Sequence, residues 1–98
     1  MKTYYIGEIT WLPYVKNVSG RKAPPAERTR WDPQIIRDPE ALWSVDMICP
    51  DFSKTNRVIF WMFSPDAPTE RICVSETYGL YDGPIEVAKV LILGKLVL

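Results

Sequence analysis

Residues 77–93 read TYGLYDGPIEVAKVLIL, and this stretch decides the fold. An apolar, aromatic-rich run from Thr77 to Tyr81 meets Asp82-Gly83-Pro84, a tight-turn signal, and a second apolar run from Ile85 to Leu93 returns. A turn of this kind between two apolar runs specifies an antiparallel β-hairpin. Gly94 then marks a bulge or a strand end before Lys95–Leu98.

The same grammar extends upstream. Tyr4–Leu12 alternates Ile6, Glu8, Thr10 and Leu12 with Gly7, Ile9 and Trp11, which predicts a strand whose buried face carries Tyr5, Ile9 and Trp11. Trp31–Arg37 is a second predicted strand, centred on Ile35 and Ile36. Leu42–Ile48 is a third, with Trp43, Val45 and Met47 on one face. Arg57–Phe63 (RVIFWMF) is an almost unbroken apolar run, expected either to be covered on both sides or to meet a partner with its outer face. Arg71–Val74 is a short strand candidate that would place Cys73 inside an apolar strand. Nine prolines in 98 residues rule out long helices. Six or seven short strands with Pro and Gly punctuation give an all-β domain, a small barrel or a sandwich, and closure removes exposed strand edges. The length fits one domain, residues 1–98.

Four tryptophans, five tyrosines and three phenylalanines, within a 47% apolar composition, supply enough surface for a packed core. The formal net charge is zero, but the charge is unevenly placed. Residues 16–30 carry five cations and one anion; residues 31–82 carry four cations and nine anions. The basic segment GRKAPPAERTR (20–30) holds Arg21, Lys22, Arg28 and Arg30 around Pro24-Pro25 and leads into Trp31. Those five residues are the candidate partner-binding set. Arginines suit carboxylates and phosphates alike, so an acidic protein surface or RNA phosphates would both fit. The alternative is internal use, with Arg30 pairing to Asp32 or Asp46 and Trp31 packing at a barrel end.

Histidine is absent, which removes the commonest general base and the Ser-His and Cys-His nucleophile pairs. Most carboxylates sit in turn sequences such as Asp38-Pro39 and Asp82-Gly83, where aspartate caps the backbone. Cys49 and Cys73, 24 residues apart, read as small buried hydrophobes and make no metal set. No catalytic residue, cofactor or metal is expected. The N-terminus lacks the apolar core of a secretory leader, and the C-terminal apolar run is too short to span a bilayer, so a cytoplasmic protein is expected.

The order of these features resembles a known family. An opening strand with ITWLPY (9–14), then Gly20-Arg21, Pro24 and Arg30, and finally YGLYDGPIEVA (78–88), is similar to the C-terminal, third β-barrel domain of translation elongation factor Tu. The likeness runs from about Ile6 to Leu93, and small stand-alone bacterial proteins share the pattern. It implies a closed six-stranded antiparallel Greek-key barrel without catalysis, one that in the elongation factor contacts tRNA and protein partners. Arg21 matches the family's loop arginine, Pro24 the following proline, Arg30 the later arginine, and Asp82-Gly83 the acidic-glycine turn. Thr29 stands where an aromatic is expected and Trp31 where a proline is. Tyr81 and Ile85 replace basic residues that help to hold tRNA. With fewer phosphate contacts available, the expected function is a non-enzymatic protein-binding module, with a tRNA-binding accessory domain as the alternative.

Overall fold

The structure is a computed structural model that describes residues 2–12, 30–38, 41–52 and 54–98. Among the described residues there are seven strands: β1 (Thr3–Trp11), β2 (Arg30–Trp31), β3 (Gln34–Asp38), β4 (Ala41–Ile48), β5 (Arg57–Met62), β6 (Thr77–Asp82) and β7 (Ile85–Val97). All pairings are antiparallel. The order β3-β6-β7-β1-β5-β4 closes on itself through the β4–β5 and β3–β4 ladders, giving a six-stranded barrel. β3, β4 and β5 form a meander, and β1, distant in sequence, lies beside β5. That arrangement is a Greek key. No helix among the described residues is long and apolar enough to cross a membrane.

The expected strand Trp31–Arg37 is divided. β2 stands outside the ring on β4, yet its register (Arg30↔Ile48, Trp31↔Met47) runs on into that of β3 (Gln34↔Ser44, Ile35↔Trp43). Pro33 has no N–H to offer the ladder. Its carbonyl still accepts from the Val45 N–H at 2.9 Å, so the interruption does not shift the alignment.

The hairpin forms as expected. Asp82 pairs with Ile85, and Gly83 adopts φ +60°, the left-handed region that favours glycine. β7 continues past Gly94 to Val97. At its bulge, Ile6 opposes Gly94 while Gly7 opposes Ile92, so Leu93 is the extra residue.

Arg71–Val74 is not a strand. A 3-10 turn, Thr69–Arg71, takes its place, followed by Ser75 at φ 75°. The Tyr78 hydroxyl donates to the Arg71 carbonyl (2.9 Å) and accepts from the Cys73 N–H (2.7 Å), two bonds that take the place of a strand ladder here. Ile72 is buried there, whereas Cys73 is exposed, contrary to the expected buried thiol. Of the apolar letters of this segment, Ile72 joins the core and Val74 is exposed, so they do not form a strand face. Cys49 is buried as expected, and burial pushes its thiol pKa up.

The barrel interior follows the alternation of the strands. Tyr5, Ile9, Ile35, Val45, Met47 and Phe60 all point into one core. Tyr5 donates to the Thr69 carbonyl at 3.0 Å, tying the 3-10 turn to the core, and burial pushes its pKa up to about 12. Elsewhere in the core Trp11, Trp31 and Phe52 cluster, with ring centroids 5.1–6.4 Å apart. Edge-to-face and tilted geometries of this kind are favoured by the ring quadrupoles.

Candidate functional site: the Arg30–Phe63 groove

Of the expected binding residues, Arg30 and Trp31 lie within the described structure; Arg21, Lys22 and Arg28 lie outside the described residues. Arg30 enters β4's edge at Ile48, which sets its side chain beside the outward-facing Asp46 of the same strand. The guanidinium forks onto the carboxylate. Nε donates to Oδ1 at 2.7 Å and Nη2 donates to Oδ2. The two ends of this pair differ in environment: the Arg30 side chain is 65% exposed, the Asp46 side chain 8%. A bidentate charge-assisted pair fixes the plane of the guanidinium. Its outer edge remains open to solvent, so Arg30 is a positioned cation and not a freely waving one.

The hydrogen bond from Arg30 holds the Asp46 carboxyl below the usual carboxylate range, against the opposing effect of burial, and Lys2 adds a smaller pull in the same direction. Arg30 is correspondingly raised, chiefly by its hydrogen bond to Asp46. A depressed folded pKa contributes stability that is present above the unfolded-chain value of about 4 and is lost as pH falls below it. The denaturation midpoint is therefore expected to drop on acidification through that range, and Asp46→Asn is expected to flatten this acid limb while lowering the midpoint at neutral pH. An unchanged limb in Asp46→Asn would show that other carboxylates set it.

Trp31 packs inward against Trp11 and Phe52 and is half-buried. Together with Arg30, Asp32, Asp46 and Phe63 it lines a shallow groove of about 400 Å³. Phe63 was not singled out from the sequence as a site residue. It is the last letter of the RVIFWMF run and falls one residue past β5, where its N–H donates to the Ser44 carbonyl and its ring is 72% exposed. The signal was the run's length: the apolar run Val58–Phe63 extends one residue beyond the end of the strand at Met62. On the other side of Trp31 a second depression of about 470 Å³ reaches Gln34, Ser44, Tyr81 and Asp82.

Tyr81 and Ile85, the positions where the elongation-factor pattern would place cations, have structural duties here. The Tyr81 hydroxyl donates to Glu86 Oε2 at 2.9 Å and its ring lies over Gly79, where a Cβ would come within 2.9 Å of it. Ile85 packs against the core.

Comparison of the chain with family models, with curated proteins and with solved structures returns no match. The site's chemistry is therefore read from its own geometry. Among the described residues no group of three acidic or thiol side chains converges as a metal set. What the groove offers is one oriented guanidinium, one exposed phenyl ring and one indole edge on a rigid wall.

Proposed function

We propose that this chain is a non-enzymatic protein-binding module, an elongation factor Tu third-domain-like barrel that engages an acidic, partly apolar protein surface through the Arg30–Phe63 groove in a reduced, cytoplasmic setting. The observation that carries the reading is the pairing of Arg30 with Asp46 beside exposed Phe63. Arginine and aromatic side chains dominate the energetically important centres of protein interfaces. A guanidinium already held by a carboxylate loses little side-chain freedom on binding. RNA is the second reading, with fewer phosphate contacts available because Tyr81 and Ile85 stand where the elongation-factor pattern has cations.

Capture experiments with the immobilised chain provide the test. Wild type is expected to retain a partner that Arg30→Glu with Phe63→Ser no longer retains, while circular dichroism of the double variant stays unchanged. Equal retention by both proteins would sink the reading. Retention of tRNA at about 50 mM salt, lost towards about 200 mM, would instead support the RNA-binding alternative.

A further inference from the structure

β7 outruns the strand that covers it. β6 pairs with β7 only as far as Thr77↔Leu91. Two further bonds, from the Ile92 N–H to the Glu76 carbonyl (3.0 Å) and from the Ser75 N–H to the Ile92 carbonyl (2.8 Å), complete that side. Ser75 then takes φ 75°, a left-handed conformation uncommon for a residue with a Cβ, and Arg71 and Cys73 bond the Tyr78 hydroxyl instead of a strand. No main-chain bond reaches β7 from residues 54–74. β7 nevertheless runs on to Val97, held on one side by β1. Lys2 and Leu98 exchange both main-chain bonds, at 2.6 and 2.9 Å. Bonded and non-bonded pairs alternate along an antiparallel ladder. Tyr4↔Leu96 is therefore the next bonded pair, and Thr3↔Val97 and Tyr5↔Lys95 are non-bonded ones. Lys95 and Val97 thus turn their N–H and C=O groups away from β1, to the side that β6 does not reach. Among the described residues these four groups have no partner. Leu96 is 52% exposed and Val97 49%, so the edge is open.

A row of unpaired main-chain groups is matched by one kind of occupant, the extended backbone of another strand. Lys95 decides whose strand that is. Its ammonium donates to the Thr69 carbonyl at 3.3 Å and lies 5.8 Å from the Tyr5 ring centroid. It makes no ion pair with Glu70 of the same turn or with any other described carboxylate. A lysine on an open edge discourages pairing with a second copy. The two-fold register that uses all four groups would set Val97 of one copy opposite Lys95 of the other and leave both ammonium groups unmatched. An acidic side chain directly opposite Lys95 matches it, because opposed residues on neighbouring strands interact across the ladder. Leu96 points to the other face and calls for an apolar neighbour there. We infer that the β7 edge at Lys95–Val97 is a strand-addition site for an extended segment of a partner protein, one that sets a carboxylate opposite Lys95 and an apolar side chain opposite Leu96. The site lies on a different strand from the Arg30–Phe63 groove and does not depend on it.

Titration of the 15N-labelled full chain with a hexapeptide of alternating valine and glutamate, up to about 1 mM, is the test. Wild type is expected to bind it, with the Lys95 and Val97 amide protons moving downfield and the Leu96 amide, already bonded to β1, moving least. A valine–lysine hexapeptide is expected to bind at least about threefold more weakly, and Lys95→Glu to reverse that order. N-methylation of the glutamates, whose N–H groups face β7 in this register, is expected to weaken binding at least about tenfold. Val97→Pro removes an outward N–H without touching the β1 ladder, so it should keep the circular dichroism and lose at least about tenfold in affinity. Should that variant fail to fold, Lys95→Glu carries the test. Unmoved Lys95 and Val97 amides with either peptide overturn the assignment. So does undiminished binding by folded Val97→Pro, or an order of the two peptides that Lys95→Glu leaves unchanged. If peptide-free wild type sediments as a dimer that Val97→Pro dissociates, the occupant is a second copy and the partner assignment fails. Arg30→Glu with Phe63→Ser is expected to bind the acidic peptide as wild type does. Loss of binding in that variant would place the peptide in the groove and refute the edge site.

Discussion

Phe60→Ala is expected to cost about 3–5 kcal/mol of stability, the usual range for truncating a fully buried phenyl ring. Small domains have only about 5–15 kcal/mol in total, so the variant should be partly unfolded well below the wild-type melting temperature. Phe60 is fully buried, stacks on Tyr5 with centroids 5.0 Å apart, and lies opposite both Tyr5 on β1 and Met47 on β4. Three strands of the ring therefore meet at this side chain. A closed barrel has limited means to collapse around the space left behind, since each wall strand is bonded on both sides. A urea titration should show a lower midpoint; a loss under about 1 kcal/mol would contradict the packing described above. The neighbouring Ile59→Ala removes a half-exposed side chain from the outer wall and should leave the folding stability within about 0.5 kcal/mol of wild type. The contrast between two adjacent residues is a direct measure of which face of β5 is core.

That contrast was half-legible in the sequence. RVIFWMF announced a strand, but six apolar letters in a row carry no period, so inside and outside could not be told apart until β1 and β4 fixed the register. The hairpin at Asp82–Ile85 was fully legible, because glycine between aspartate and proline leaves few alternatives. The 3-10 turn at Thr69–Arg71 was not. RICV has strand-like composition, and bonds from the Tyr5 and Tyr78 hydroxyls together with the burial of Ile72 turn it aside. Arg30 and Trp31 were visible as candidates. The Arg30–Asp46 pair was one of two pairings the charge order allowed, and register alone selects it, since Arg30 pairs across from Ile48, two residues from Asp46. Phe63 joined the site because β5 ends before it.

Gly7 shows how a residue can be legible as part of a strand and illegible in its purpose. It sits at an inward position of β1, where Ile9 and Tyr5 carry large side chains. A Cβ at Gly7 would lie 2.6 Å from Val90 Cγ2 and 3.2 Å from the Leu91 carbonyl oxygen. The first is inside any tolerable carbon–carbon distance. Val90 cannot rotate away cheaply, because a β-branched side chain has few χ1 states and this one is fully buried. The second contact is backbone, fixed by the β1–β7 ladder. Gly7→Ala should therefore destabilise the barrel by about 1–3 kcal/mol, opposite in sign to the usual gain from replacing glycine in a strand. The decisive measurement is a double-mutant cycle. Val90→Ala removes the clashing methyl at the cost of a small cavity, so the pair Gly7→Ala with Val90→Ala should be more stable than the sum of the single changes by about 0.5–2 kcal/mol. Strict additivity would mean that the strain lies in the Leu91 carbonyl contact and that the β1–β7 backbone spacing, not the Val90 side chain, is what keeps this position glycine.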